Sequence, residues 1–186
     1  MTLRPVPPRP GAAGLSGRLA EILRVDHAGE LAAVHIYRGH RAVFQAAGMT
    51  GAAARMAAFE DHEAVHLRRF ETLLTEGRVR PTLMAPLWRA AAFGLGVGAA
   101  LIGEKAAHAC TEAVETVIEE HYAGQIAEIS QREPALAAEL AGFRDDELAH
   151  RDEARSLGAA QVPLHALFGA VVRAGCRAAI KVSERI

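Results

Sequence analysis

The sequence is poor in the residues on which several classes of protein depend. It contains two cysteines, Cys110 and Cys176, in 186 residues, too few for a disulfide framework or for a thiolate zinc site. Its net charge is −1, so no basic field attracts nucleic acid. No segment alternates polar and apolar residues as a strand does, and no Gly-x-Gly-x-x-Gly loop follows one. These absences exclude a Rossmann nucleotide site and favour a helical protein of a reducing compartment.

The composition and the breakers predict an all-α fold. Half the residues are hydrophobic, only 5% are aromatic, and alanine is abundant, which favours helix throughout. Glycine and proline divide the chain into six predicted helices: 16–45, 52–76, 84–103, one from there to 130, 134–158 and 163–186. We expect one bundle domain over residues 15–186. Residues 1–14, with four prolines, are predicted to be a disordered lead-in and not a secretory signal.

One pattern occurs twice along the chain. Phe-x-Asp-x-Glu-x-x-His stands at 59–66 and again at 143–150. A second repeated pattern accompanies it. Glu30 is followed by Tyr37 and Gly39, and Glu115 is followed at the same spacings by Tyr122 and Gly124. Each half of the chain therefore holds one isolated glutamate and one Glu-x-x-His, whose two side chains lie on one helix face.

This inventory of four carboxylates and two imidazoles is typical of a two-metal site in a bundle core. Burying four unpaired carboxylates would cost several kcal/mol each, whereas two divalent cations neutralise them. Oxygen and imidazole ligands favour iron or manganese. The predicted metal ligands are Glu30, Glu63, His66, Glu115, Glu147 and His150.

Neighbouring acidic residues and histidines compete for these roles. Glu112 and Glu119 lie one turn on either side of Glu115, and the repeat alone favours Glu115. His27, three residues before Glu30, forms an inverted motif that we interpret as non-ligating. Among the other histidines, we expect His62 to point elsewhere on its helix, and we find no carboxylate at a suitable spacing for His35, His40 and His165. Asp61 and Asp145 are expected on an outer face of their helices. Asp146 precedes His150 by four residues and is expected to help orient that histidine.

Two tyrosines share a face with the isolated glutamates. Tyr37 and Tyr122 stand two turns beyond Glu30 and Glu115. They are interpreted either as core side chains or as phenols beside the metals that donate a hydrogen bond or relay a proton and an electron. Tyr122 with its neighbour His121 is the predicted catalytic pair outside the metal ligands.

Two segments outside the repeat predict contact with a membrane surface. Residues 83–103 carry Arg89 as their only charge before Gly103, and glycines 94, 96 and 98 are expected to weaken the helix. Segment 162–186 spaces Arg173, Arg177 and Lys181 at four-residue steps beside an apolar stripe. A basic stripe beside an apolar one is typical of an interfacial helix. The alternative is that both segments pack on the bundle.

Several longer blocks resemble the demethoxyubiquinone hydroxylases of ubiquinone biosynthesis, from about residue 20 to the end. They are RVDHAGE at 24–30, IYRGH at 36–40, HLRRF at 66–70, RVRPTLMAPLW at 78–88, ACTEAVE at 109–115, HYAGQI at 121–126, FRDDELAHRD at 143–152 and AGCRAAIKVSERI at 174–186. The resemblance implies a ferritin-like four-helix bundle with two further membrane-facing segments. It also implies two iron ions per chain, held by the six ligands already named.

The resemblance further implies a reaction and its surroundings. It implies a di-iron monooxygenase that hydroxylates 2-polyprenyl-3-methyl-6-methoxy-1,4-benzoquinol with O₂, the penultimate step towards ubiquinol, with NADH as a candidate electron donor. The expected partners are the polyprenyl substrate, a membrane surface and other proteins of the pathway. The expected location is the cytoplasmic face of the cell membrane in a bacterium, or the matrix side of the mitochondrial inner membrane in a eukaryote. The rivals are a ferritin-like quinol oxidase, a ferroxidase, and a lipid-binding or scaffold module without metal.

Overall fold

The computed structural model describes residues 17–186, and all of its regular structure is helical. The helices are α1 (Gly17–Ala46), α2 (Thr50–Glu76), α3 (Ala85–Ile102), α4 (Glu104–Ile129), α5 (Pro134–Ser156) and α6 (His165–Ser183), with one 3₁₀ turn, Ala159–Gln161. The all-α prediction is confirmed. Each predicted helix is found, with boundaries shifted by a few residues at most. The predicted lead-in, 1–14, lies outside the described residues.

Two antiparallel hairpins form the bundle. α1 packs on α2 and α4 packs on α5, while α3 lies against α1 and α6 lies against α4. Each hairpin carries one copy of the repeat, so its isolated glutamate is on the first helix and its Glu-x-x-His on the second. The repeat therefore corresponds to two similar structural halves that face each other across the core.

The glycines of α3 permit a close approach of α3 to α1. A methyl group at Gly96 would collide with the backbone carbonyl of Ile36, and one at Gly39 would lie 2.5 Å from the carbonyl oxygen of Phe93. α3 is continuous through Gly94, Gly96 and Gly98, so the expected weakening does not break it. Glycine is needed at positions 39 and 96 because the two backbones touch there.

We expect Gly96→Ala to destabilise the fold by roughly 1–3 kcal/mol, since the added methyl overpacks a contact between two backbones. Gly94→Ala is the matched control, because nothing lies within 4 Å of its added methyl. That change should stabilise the protein by up to about 1 kcal/mol through helix propensity. Urea unfolding of both variants measures the difference, and equal midpoints would contradict the close packing.

Candidate metal centre and adjoining cavity

The six predicted ligands meet in the core between α1, α2, α4 and α5. All six side chains are buried, and they form two quartets whose ligand atoms lie within 4.8 Å of one another. One quartet is Glu30, Glu63, His66 and Glu147, and the other is Glu63, Glu115, Glu147 and His150. Each quartet offers three carboxylates and one imidazole, and Glu63 and Glu147 belong to both.

The shared glutamates lie between the two histidines. Glu63 Oε1 is 2.8 Å from His150 Nδ1, and its other oxygen is 3.7 Å from His66 Nδ1. Glu147 repeats this arrangement at 3.3 Å from His66 Nδ1 and 3.7 Å from His150 Nδ1. With one oxygen directed at each half, either carboxylate could hold two metal ions at once.

The oxygen and nitrogen atoms of the cluster are better suited to binding metal ions than to forming hydrogen bonds with one another. Eight of its oxygens and nitrogens are buried without a hydrogen bond, although several lie at ion-pair distance. Buried polar atoms are normally paired. The eight unpaired atoms are Glu30 Oε2, both oxygens of Glu63 and of Glu147, Glu115 Oε2, His66 Nδ1 and His150 Nδ1. These converging lone pairs could hold two divalent cations.

The electrostatics of the metal-free cluster reflect burial and crowding. Burial raises the pKa values of Glu30 and Glu115, and the nearby Glu147 and Glu63 add to the rise. Burial also opposes a charged His150, but contacts with Glu147 and Glu63 outweigh it and raise its pKa to about 10. The pKa of His66 is raised in the same way.

Each histidine of the cluster has a partner on its outer nitrogen. His66 Nε2 donates to Asp146 Oδ2 at 3.2 Å, and His62 Nδ1 lies 2.9 Å from His150 Nε2. Such contacts fix the orientation of a metal-ligating imidazole. Two expectations were wrong in detail. Asp146 supports His66 on the opposite hairpin and not His150 on its own helix, and His62 does not point away from the site but contacts it.

Each tyrosine reaches across to the glutamate of the other hairpin. Tyr37 donates to Glu115 Oε1 at 2.5 Å, and Tyr122 donates to Glu30 Oε1. Both phenols are buried and their pKa values are raised, chiefly by burial, so both remain protonated donors. Each bond occupies one carboxylate oxygen and leaves the second directed into the cluster. This crossed pairing favours the interpretation of these residues as phenols beside the metals.

The competing residues lie elsewhere. Glu112 accepts from Arg155 at 2.8 Å and pairs with His165 at 2.7 Å, so the expectation that His165 has no carboxylate partner was wrong. Glu119 lies outside both quartets, as does the buried His27. The other expectations agree with the structure: Asp61 and Asp145 are exposed, His35 contacts the carbonyl of Leu31, and His40 is buried beside Tyr37.

An apolar cavity of about 320 Å³ adjoins the cluster. α1, α3, α4 and α6 form its walls, which include Ala92, Leu95, Val117 and Ile180, and Glu30 and Tyr122 are part of its lining. A single cavity therefore connects helices α3 and α6 with a predicted metal ligand.

Asp26 and His121, two polar residues of the cavity lining, form a hydrogen-bonded group with Gln125. Asp26 Oδ1 accepts from Gln125 Nε2 at 2.7 Å and lies 3.4 Å from His121 Nε2. Burial raises the pKa of Asp26, while His121 and Gln125 oppose the rise. His121 thus lies at the cavity next to Tyr122. Sequence reasoning missed Asp26 and Gln125, although Asp26 stands one turn before Glu30 and Gln125 one turn after His121.

The fold and the cluster define an all-α bundle protein with a buried carboxylate–histidine centre. The family model described as ubiquinone biosynthesis protein COQ7 matches residues 17–183. The chain belongs to this family. This confirms the resemblance seen in the sequence.

Several curated relatives resemble the chain over most of its length. The 3-demethoxyubiquinol 3-hydroxylase of Rhodospirillum rubrum is 43% identical over 178 residues, which are 95% of this chain and 82% of the relative. The mouse mitochondrial NADPH-dependent 3-demethoxyubiquinone 3-hydroxylase is 44% identical, covering 88% and 76%. The yeast mitochondrial 5-demethoxyubiquinone hydroxylase is 38% identical, covering 90% and 78%. All three names describe a hydroxylase, which does not favour the oxidase and ferroxidase rivals.

Proposed function

We propose that this chain is the enzyme that hydroxylates the ring of demethoxyubiquinol, a 2-polyprenyl-3-methyl-6-methoxy-1,4-benzoquinol, in ubiquinone biosynthesis. The observation that carries the proposal is the apolar cavity whose lining includes Glu30 of the carboxylate–histidine cluster. A quinol with a hydrocarbon tail fits such a cavity, whereas a ferroxidase substrate needs a polar path. The names of the relatives support the same reaction.

The proposed cofactor is a pair of iron ions held by the two quartets. Glu63 and Glu147 would bridge the ions. Glu30 with His66 would complete the coordination of one ion, and Glu115 with His150 that of the other. The two tyrosines would hold Glu30 and Glu115 in place through their hydrogen bonds. When bound, the iron pair supplies activation of O₂ and transfer of one oxygen atom to the ring. The protein contributes by orienting the ligands and excluding water.

The electrons for this reaction must come from a separate donor. No strand and no Rossmann loop occurs in residues 17–186. NADH was the sequence-based candidate, while the mammalian relatives are named NADPH-dependent. The proposal includes a nicotinamide donor, and supplying each nucleotide to the purified protein with substrate and O₂ will identify which one supports turnover.

Purified protein with known iron content provides the direct test. We expect two irons per chain and, on incubating the reduced protein with demethoxyubiquinol and O₂, a product that is one oxygen atom heavier. Two irons with oxygen consumption but no heavier quinol would favour a quinol oxidase. Protein that binds no iron would contradict every metal-based function and favour a lipid-binding module.

Metal binding should become tighter as pH rises. His66 and His150 are protonated in the metal-free protein, His150 with a pKa of about 10, and a metal requires both neutral. Each proton that is released on binding makes the metal affinity rise by about a further tenfold per pH unit. Anaerobic calorimetry with Mn²⁺ between pH 6 and 8, in buffers of different ionisation heats, measures the protons released. Affinity that does not change with pH would contradict the protonated imidazoles.

We propose that α3 and α6 bind the membrane surface. Among the described residues twelve large hydrophobic side chains are exposed, and ten of them lie at 83–102 or 164–186. Exposed patches of this kind mark membrane or protein contacts. α3 is the one described helix that passes the length and composition test for a membrane span, with a mean hydropathy of 1.4. Its glycine contacts with α1 and its Arg89 favour an interfacial position.

Replacing exposed apolar side chains by charges should weaken this attachment. Leu164 and Leu167 are 75% and 59% exposed, so Leu164→Asp with Leu167→Asp should leave the fold intact. We expect vesicle binding to fall roughly tenfold or more, because each side chain contributes on the order of 1.5 kcal/mol when buried in lipid. Co-sedimentation with phospholipid vesicles measures the fraction of protein that binds. The control is Val65→Asp, which changes an exposed apolar residue of α2 and should bind normally.

This surface supports a proposal for the location of the protein. The eukaryotic relatives are named mitochondrial. We propose peripheral attachment to the membrane that holds the quinone pool, which is the cell membrane in a bacterium and the mitochondrial inner membrane in a eukaryote.

A further inference from the structure

Asp26, a residue of the cavity lining, has a buried carboxylate oxygen without a hydrogen-bond partner. The side chain of Asp26 has no exposed surface. Its Oδ1 contacts Gln125 and His121, whereas its Oδ2 is buried without a hydrogen bond. Asp26 is nevertheless part of the cavity wall. Leaving such an oxygen unpaired is costly, so the cavity is suited to a ligand that brings a hydrogen-bond donor.

Gln125 and His121 fix the orientation of this carboxylate. Both come from α4, one turn apart, and both approach Oδ1. Their contacts restrain the side chain and leave Oδ2 free for a ligand. Most of the remaining cavity wall is apolar, formed by residues such as Val25, Ile36 and Leu95. A donor group on a ligand would therefore find Asp26 Oδ2 as a strong acceptor in otherwise hydrophobic surroundings.

Asp26 is also close to the metal ligands. It precedes Glu30 by four residues on α1, so their Cβ atoms lie about 5–6 Å apart on one helix face. Its partner His121 is adjacent to Tyr122, which donates to Glu30. A ring bound to Asp26 through one oxygen would therefore present its neighbouring carbons next to Glu30.

We propose that Asp26 accepts a hydrogen bond from a ring hydroxyl of the substrate and thereby makes the site select the quinol over the quinone. This inference rests on the proposed function. Both ring oxygens of a quinol carry a proton to donate, whereas those of a quinone are carbonyl acceptors that a carboxylate oxygen repels. Asp26 would thus favour the electron-rich form of the ring, which is the form that an oxygen-inserting reaction needs. Gln125 and His121 are its positioning residues.

The single tryptophan provides a binding assay that does not depend on turnover. Trp88 is the only tryptophan in the chain, and it lines the cavity, so a bound quinol or quinone should quench its fluorescence. The full-length protein is titrated without oxygen with a short-tailed demethoxyubiquinol and, separately, with the matching quinone. We expect the wild-type protein to bind the quinol about tenfold more tightly, since pairing a buried oxygen that otherwise has no hydrogen bond gives about this factor.

Asp26→Asn should remove the preference. We expect quinol affinity to fall about tenfold and quinone affinity to stay equal or rise, since the amide is a weaker acceptor and can donate to a carbonyl. Asp61→Asn makes the same change on the exposed face of α2 and should leave both affinities unchanged. Circular dichroism and thermal unfolding establish that both variants are folded.

The outcomes separate this inference from the proposed function. Wild-type protein that binds neither ligand would contradict the quinol site itself. Wild-type protein that binds quinol and quinone equally would overturn the role of Asp26 alone, and this comparison needs no variant. A preference that survives in a folded Asp26→Asn protein would also overturn it.

Discussion

Glu147→Ala should remove both metals and lower hydroxylation by more than about 100-fold, since changes to the partners of metal ligands alone cost 10–100-fold. Glu147 belongs to both quartets, and it has no exposed surface. Its two oxygens lie 3.3 Å from His66 Nδ1 and 3.7 Å from His150 Nδ1, so its loss affects both halves of the cluster. Metal analysis and product formation measure the two losses separately.

Two further variants make this experiment specific to a bridging ligand. Glu115 belongs to one quartet only, so Glu115→Ala should release one metal before the other. Glu119→Ala lies one turn away on the same helix, outside the cluster, and should keep both. If Glu147→Ala retained one metal as tightly as Glu115→Ala does, Glu147 would be a terminal ligand and the bridging assignment would be wrong.

Ala179→Phe should abolish most of the activity while leaving the metals in place. Ala179 is a half-buried residue of α6 that lines the apolar cavity, and a phenyl ring there would occupy space needed by the substrate. Overpacking of this kind costs about 1–3 kcal/mol, which corresponds to a loss of roughly tenfold or more in affinity for the quinol. Steady-state kinetics should show the effect mainly as a raised KM for the long-tailed quinol.

The neighbouring residue provides a matched control for this variant. Ala178 is exposed and outside the cavity lining, so Ala178→Phe makes the same change on the same helix without obstructing the cavity. It should retain near-normal kinetics. Equal loss of activity in both variants would point to a general disturbance of α6, and equal retention would mean that the substrate does not use this cavity.

The helices and the six side chains that meet in the core could be predicted from local patterns. Glycine and proline mark the ends of helices, because they act on the backbone at their own positions. The Glu-x-x-His spacing places Glu63 with His66, and Glu147 with His150, on one face whatever the rest of the fold does. The repeat then selected Glu115 over Glu112, whose carboxylate is used by Arg155 and His165.

Contacts between the hairpins could not be read in this way. Asp146 is four residues from His150, which suggested a contact along α5, yet it supports His66 on α2. His62 was expected to point elsewhere and instead contacts His150. Helical periodicity gives the direction of a side chain relative to its own helix, whereas the partner depends on how two helices cross.

The sequence by itself determined the all-α fold and the six side chains of the cluster, because helix formation and i to i+3 spacing are local properties of the chain. The tertiary structure decided that each tyrosine donates to the opposite hairpin and that Asp26 is part of the wall of an apolar cavity. These features join residues that are far apart in the sequence. Their contacts exist only because the α1–α2 and α4–α5 hairpins face each other across the core, and because α3 packs on α1 and α6 on α4 around one cavity.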